Sequence, residues 1–207
     1  MSFQVDIGSQ RSLCIRPAAE ADVELLARLF DEADGGLSRR RWAAAASPGQ
    51  NPFAVGAAEI ASNRTRQALR DAWVAEDKAR IVGAILAYRM TPAKTGTDQP
   101  YARLKAHALD SWYIDSLAVL EGYRRSGAGL SLLRAADGMA RRAGCTTQSL
   151  LVYDNNRAAA ALYARRGFVE THAHPLAPEH PTGARTIRLL QREIGDQQDP
   201  DVKETLR

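Results

Sequence analysis

Cysteine is nearly missing from this chain. Cys14 and Cys145 are its only two, far apart and without paired spacing. That excludes a multi-disulfide scaffold and a zinc knuckle, and it points to a reducing compartment, the cytoplasm. No apolar run approaches the length that spans a bilayer, so no membrane segment is expected. The opening MSFQVDIGSQRSLCIRP has no apolar core behind a basic start, so it does not read as a secretory signal. Lysine is scarce beside arginine, and aromatics make up only 6% of the residues. The net charge of +4 is spread along the chain. Nucleic-acid binding usually shows a dense basic stripe with interleaved aromatics, and that is missing too. The scattered charge fits an anionic small molecule or plain solvated helix faces.

What remains is an ordinary globular composition, 45% apolar and 25% charged over 207 residues, enough for one domain with a full core. Residues 1–11 read as a flexible start, 12–194 as the domain, and 195–207 as a polar tail that frays. Leu13 to Arg16 reads as a short strand ended by Pro17. Ala19 to Ala33 reads as an amphipathic helix with Val23, Leu26, Ala27 and Phe30 on one side, stopped by Asp34-Gly35-Gly36. Ser38 caps a second helix to Ala46, and Ala57 to Arg70 is a third. Ala72 to Glu76 and Ala79 to Arg89 form a hairpin about Asp77-Lys78. Thr91 to Pro100 is a loop, and Tyr101 to Leu109 is ambiguous. Then come a strand at Trp112–Val119, a helix at Gly127–Ala143, a strand at Thr147–Tyr153 and a helix at Asn156–Arg166. Phe168–Ala173 and Arg185–Arg192 pair as closing strands.

The informative stretch is Tyr113 to Leu133, YIDSLAVLEGYRRSGAGLSLL. An apolar strand runs into Arg124-Arg125-Ser126-Gly127-Ala128-Gly129, and a helix opens there. The first turn of a helix has N–H groups without internal partners, its dipole favours negative charge, and glycines let a ligand approach the backbone. A phosphate-bearing cofactor is the reading. A P-loop would need Lys-Ser/Thr after the last glycine, which is missing. The dinucleotide pattern G-x-G-x-x-G would need a small residue at Leu132. The third pattern, Arg/Gln-x-x-Gly-x-Gly/Ala, is met. Downstream, Asn156-Arg157-Ala158-Ala159-Ala160-Ala161-Leu162-Tyr163-Ala164-Arg165-Arg166-Gly167-Phe168 meets N-x-x-A-x-x-L-Y-x-x-x-G-F. With both patterns in this order, the chain resembles the GNAT superfamily of N-acetyltransferases over roughly residues 12–192. It departs at Leu120-Glu121-Gly122, where a proline often precedes the tyrosine–arginine step.

The resemblance implies a single α/β domain: a central mixed, mostly antiparallel sheet with a splayed parallel strand pair, flanked by helices. It implies acetyl-CoA as cofactor. Arg124, Arg125, Ser126, Gly127, Ala128, Gly129 and Leu130 would cradle its pyrophosphate through main-chain N–H groups, and Leu117, Ala118 and Val119 would offer a strand edge to the pantetheine. Asn156 would lie near the pantetheine or thioester. The residues alone leave alternatives open. The glycines suit a tight loop before a helix, Arg124 can bond the loop's own carbonyls, Arg125 can be a solvated charge, and Asn156 is a good helix cap.

Tyr163 sits where the superfamily places a phenol that protonates or stabilises the departing thiolate; its alternative is an aromatic packed on the sheet. An alkyl ammonium titrates near ~10.4 and must lose a proton before attack. Asp115 is the leading base and Glu76 and Asp110 are weaker ones, although water or a backbone carbonyl serves many members. Asp115 can equally be a hydrogen-bonded strand carboxylate. His172 and His174 face one side of a strand but lack further ligands, so no metal is expected; His107 and His180 are loop histidines without an evident partner. The expected activity is direct transfer of acetyl from acetyl-CoA to a primary amine, small molecule or peptide, in a ternary complex. The alternative is a module on the same fold that binds acyl-CoA without catalysis. The resemblance leaves a homodimer open.

Overall fold

The computed structural model describes residues 2–6, 12–62, 66–195 and 202–205. The chain divides into two compact units. The first holds residues 1–86, 116–135 and 199–207, the second 87–115 and 136–198.

The first unit begins with β1 (Ser2–Asp6) and β2 (Ser12–Pro17), antiparallel with Phe3 opposite Ile15. A 3₁₀ turn at Glu20–Asp22 leads into α1 (Val23–Ala33), which buries Leu26, Ala27, Leu29 and Phe30. Period 3.6 places these residues on one face. α2 (Leu37–Ala45) is capped by Asp34 rather than Ser38: the Asp34 carboxylate accepts from the Leu37 and Ser38 amides and the Ser38 hydroxyl. The expected helix from Ala57 to Arg70 is two helices, α3 (Pro52–Ala61) and α4 (Arg66–Asp71), with residues 63–65 outside the described set. α3 has Asn51 as its cap and Pro52 at its first position, both favourable there. β3 (Ala72–Asp77) and β4 (Arg80–Arg89) form the expected hairpin. Its two turn residues, Lys78 and Ala79, both have positive φ, 49° and 66°, as a two-residue primed turn demands. Both ends of the chain, expected to fray, carry a strand: β1 pairs with β9 (Val202–Thr205).

The second unit contains α5 (Tyr101–Ala106), which settles the ambiguous stretch as a short helix. Six further elements follow in order: β5 (Trp112–Val119), α6 (Ala128–Arg142), β6 (Thr147–Tyr153), α7 (Arg157–Arg165), then β7 (Val169–Pro175) and β8 (Thr186–Glu193). β4, β5 and α6 run through both units. The strand order is β7-β8-β6-β5-β4-β3-β2-β1-β9. β5 and β6 are parallel, while the β6–β8, β7–β8, β3–β4, β2–β3, β1–β2 and β1–β9 ladders are antiparallel. The parallel ladder covers Trp112↔Gln148, Tyr113↔Ser149 and Ile114↔Leu150, although β5 continues to Val119 and β6 to Tyr153. This is the parting expected of a splayed pair. Among the described residues no helix is long and apolar enough to cross a membrane.

Candidate active site

In the first unit, β5 ends at Val119 and its next amide, Leu120 N–H, donates to the Val82 carbonyl at 2.9 Å. Gly83 lies under this strand. A Cβ there would sit 2.7 Å from the Ala118 carbonyl oxygen and 3.3 Å from the Val119 Cα, so only glycine permits the approach. Leu117 and Val119 are half-buried and Ala118 buried. A single 3₁₀ turn at Glu121–Tyr123 takes the place of the proline step. Arg124 is extended; its Nε donates to the Val119 carbonyl at 3.4 Å and its guanidinium pairs with Glu32. The side chain thus bonds the loop's own carbonyl and a carboxylate from α1. Arg125 is exposed.

Arg125 and Gly127 are both left-handed, with φ of 61° and 93°, one on each side of Ser126. Consecutive turns of this kind gather main-chain N–H groups into a concave anion cradle. The Ser126 amide is spent on the Tyr123 carbonyl at 3.3 Å. The first bond of α6 runs from the Ser131 amide to the Gly127 carbonyl at 2.9 Å, and the Ser131 hydroxyl joins it at 3.1 Å. The amides of Ala128, Gly129 and Leu130 therefore precede the first intrahelical donor. These groups, with no side chain on Gly127 or Gly129, fit a diphosphate.

The second unit carries a cluster of phenols centred on Tyr113, which is 2% exposed. Met90, Leu104, Ala108, Ile187 and Leu189 surround it, and Tyr88, Tyr101 and Tyr153 pack against that core. Burial first, and then the charges of Asp115, Tyr88, Tyr153 and Tyr163, push the Tyr113 phenol well above its ordinary range. Tyr163 is itself buried on α7, its ring 5.7 Å from that of Phe168, and burial pushes its pKa up to about 12. Asp115 is partly exposed. Its Oδ1 accepts from the Tyr88 hydroxyl at 3.2 Å and from Lys105 Nζ at 3.3 Å. Asn156 caps α7, its Oδ1 accepting from the Ala159 amide at 3.2 Å. Of the weaker bases, Glu76 in the first unit pairs with Arg16, and Asp110 pairs with Arg89.

Sequence reasoning missed Tyr88, Tyr101, Lys105, Tyr153 and His180. Tyr101 and Lys105 are four apart on α5 and share a face. The Tyr101 hydroxyl is 3.1 Å from that of Tyr153 and 3.0 Å from His180 Nε2. His180 Nδ1 is 2.8 Å from the Thr182 hydroxyl and accepts from the Thr182 amide at 3.4 Å. The sequence offered one signal for this cluster, the i, i+4 spacing of Tyr101 and Lys105. His107 and His172 stack, with ring centroids 3.8 Å apart, and His174 Nδ1 bonds the Pro175 carbonyl. Among the described residues no group of three or more His, Cys, Asp or Glu is placed to hold a metal.

Residues 39–168 match the family model described as the Acetyltransferase (GNAT) family. The chain belongs to the GNAT acetyltransferases. Acetyl-CoA is the cofactor of that family. Among solved structures, one acetyltransferase is similar with a TM-score of 0.63 and 22% identity, covering 87% of this chain and 99% of its own. The ribosomal-protein-S18-alanine N-acetyltransferase from Escherichia coli is similar with a TM-score of 0.57 and 15% identity, over 91% of this chain and 97% of its own. YncA from Salmonella typhimurium, solved with acetyl-CoA, has a TM-score of 0.57 and 18% identity, over 91% and 97%. At such identities the likeness is one of fold. No curated protein matches this GNAT chain by sequence.

Proposed function

We propose that this GNAT protein moves an acetyl group from acetyl-CoA to a primary amine by direct attack, in a reducing compartment, the cytoplasm. The observation that carries the reading is the loop before α6, where left-handed Arg125 and Gly127 and the opening amides of the helix form an anion cradle. The cofactor supplies the acetyl thioester. Main-chain N–H groups of the Arg125–Leu130 loop hold the diphosphate, with Arg124 and Arg125 adding positive charge at the loop. The edge of Leu117–Val119 and the amide of Asn156 serve the pantetheine. Asp115 takes the proton of the acceptor ammonium, directly or through water. Tyr163 stays protonated at working pH and hydrogen-bonds the leaving sulfur. Neither Cys14 nor Cys145 is assigned an acyl-carrying role; Cys145 is buried, and burial raises its thiol.

The test is calorimetric titration with acetyl-CoA, followed by thiol release across a panel of amines. Binding with amine-dependent thiol release supports the enzyme. Binding without thiol release on any amine favours the second reading, a non-catalytic acyl-CoA-binding module. The ion pair that occupies Asp115 is the observation on that side. No binding at millimolar acetyl-CoA refutes both.

A further inference from the structure

Lysine is the rarer cation of this chain, and four ion pairs described in the second unit use arginine: Arg89–Asp110, Arg166–Asp137, Arg188–Glu170 and Arg192–Asp137. Arginine is the better partner for a carboxylate where only an ion pair is needed, because its fork is rigid and always charged. At Asp115 the partner is Lys105, whose Nζ lies 3.3 Å from Oδ1. The same ammonium stands 5.1 Å from the ring centroid of Tyr113. Its side chain keeps 19% of its exposure, so it is held rather than solvated. Helix α5 aims it there, since Tyr101 one turn earlier is fixed by Tyr153 and His180. A primary alkyl amine thus rests on the proposed base and against the Tyr113 ring. An acceptor amine requires that same setting.

We propose that Lys105 is an internal acetyl acceptor, a self-modification site that the enzyme fills when no external amine is present. This rests on the transferase reading above. The Lys105 ammonium gives one proton to Asp115. Its nitrogen then forms the bond to the acetyl carbon while the carbon–sulfur bond of the thioester breaks. The sulfur leaves with the bonding pair and is released as the CoA thiol. The second ammonium proton leaves with that step, so the sum is ammonium plus thioester giving amide, thiol and one proton. Acetylation removes the charge and the ion pair, leaving the Asp115 carboxylate to the Tyr88 hydroxyl. Modification would thereby release the base for external amines, and Lys105 would compete with them until it is modified.

The experiment is incubation of the full chain with acetyl-CoA and no added amine, read by intact mass and peptide mapping, with thiol release on an amine panel run in parallel. The expected result is one added acetyl group, mapped to Lys105, that forms at least tenfold faster than on Lys78 or Lys94. Lys78, exposed on the β3–β4 turn, reports on uncatalysed acetylation, and Lys94, whose Nζ lies 4.0 Å from the Tyr88 ring centroid, reports on selectivity beside the site. Lys105→Arg should lose the modification and, by keeping a cation on Asp115 that acetylation cannot remove, should lower amine-dependent thiol release below that of the modified wild type. Tyr163→Phe should slow it in proportion to its effect on external amines. Three results would overturn the proposal. One is equal modification of Lys78, Lys94 and Lys105. Another is an unmodified Lys105 in a protein that acetylates external amines, which leaves the transferase reading intact. The third is no binding of acetyl-CoA and no thiol release from any amine, which removes both.

Discussion

Replacing Tyr163 by phenylalanine is the sharpest probe of the proposed chemistry. The ring is buried at 6% exposure, and phenylalanine keeps the edge contact with Phe168, so the fold should hold. What is lost is one hydroxyl whose pKa burial raises to about 12. A thiol titrates near ~8.5, so complete proton transfer from this phenol to a thiolate would run uphill by about 5 kcal/mol. On the proposed mechanism Tyr163 would therefore act by hydrogen-bonding the charged sulfur. A hydrogen bond to a charged group contributes about 1.5–3 kcal/mol, which predicts a loss of about 10- to 150-fold in kcat. Binding of acetyl-CoA should change little, because the hydroxyl is needed only once the sulfur carries charge. The assay is thiol release at saturating amine, paired with calorimetric binding. A pH series adds an independent check. The protonated phenol is the competent form, and its raised pKa keeps it protonated until the pH nears 12. The wild-type rate should therefore show no basic limb from this group below about pH 11. Unchanged kcat in Tyr163→Phe would refute the reasoning. So would a basic limb near pH 10 that the variant lacks.

Three further predictions concern the scaffold. Gly83→Ala places a methyl 2.7 Å from the Ala118 carbonyl, which is backbone and cannot swing away; overpacking of this kind costs about 1–3 kcal/mol, and a lowered melting temperature together with weaker acetyl-CoA binding is expected. Gly127→Ala forces a side chain into φ of 93°, at a cost of about 1–2 kcal/mol, and should weaken acetyl-CoA binding roughly tenfold by calorimetry, with unaltered affinity counting against the cradle. Asp22 is the acid-sensitive point: burial raises its pKa, but the hydrogen bonds from Arg16 and the Ala19 amide outweigh burial and leave it lowered. Its stabilisation is present above the unfolded value, about 3.9, and is lost as pH falls through the folded one; Asp22→Asn should flatten the drop in melting temperature below pH 4, and an unchanged slope would discard this assignment.

Much of the fold was legible because its signals are local. Trp112–Val119 and Thr147–Tyr153 are strands within the bounds that the apolar pattern sets. The hairpin about Lys78 and the helices after Gly127 and Asn156 follow from turn and cap chemistry. Asp34 shows where a local signal misled. Serine at position 38 looks like a cap, yet the carboxylate four residues earlier takes its amide and hydroxyl, because Gly35 and Gly36, with φ of 72° and 87°, turn the chain back onto Asp34. The strands at the two ends were invisible for another reason. β1 and β9 pair with each other across nearly the whole chain length, and no spacing within either segment announces a partner so distant. The glycine loop and Tyr163 were readable as motifs. Lys105, Tyr153 and His180 were not, since their meaning lies in contacts between segments far apart in sequence.

The phenol cluster also explains a feature of composition. Aromatics are few, yet of the six tyrosines all but Tyr123 fall in the second unit. Burying a hydroxyl costs free energy unless it finds a partner, so a core built for stability alone would use leucine or phenylalanine there. Tyr88 reaches Asp115, and Tyr101 reaches Tyr153 and His180. Such a network is oriented and half-buried, and it contains one carboxylate, paired with the Lys105 ammonium. A second carboxylate beside Asp115 would raise its proton affinity through like-charge repulsion, whereas a wall of phenols offers dipoles without charge. Transfer to an amine needs that asymmetry: a single acceptor for the ammonium proton, and donors that stay protonated when sulfur takes up charge. On the proposed mechanism these tyrosines would supply donors of this kind, in addition to the packing that contacts with Met90, Leu104 and Ile187 give them.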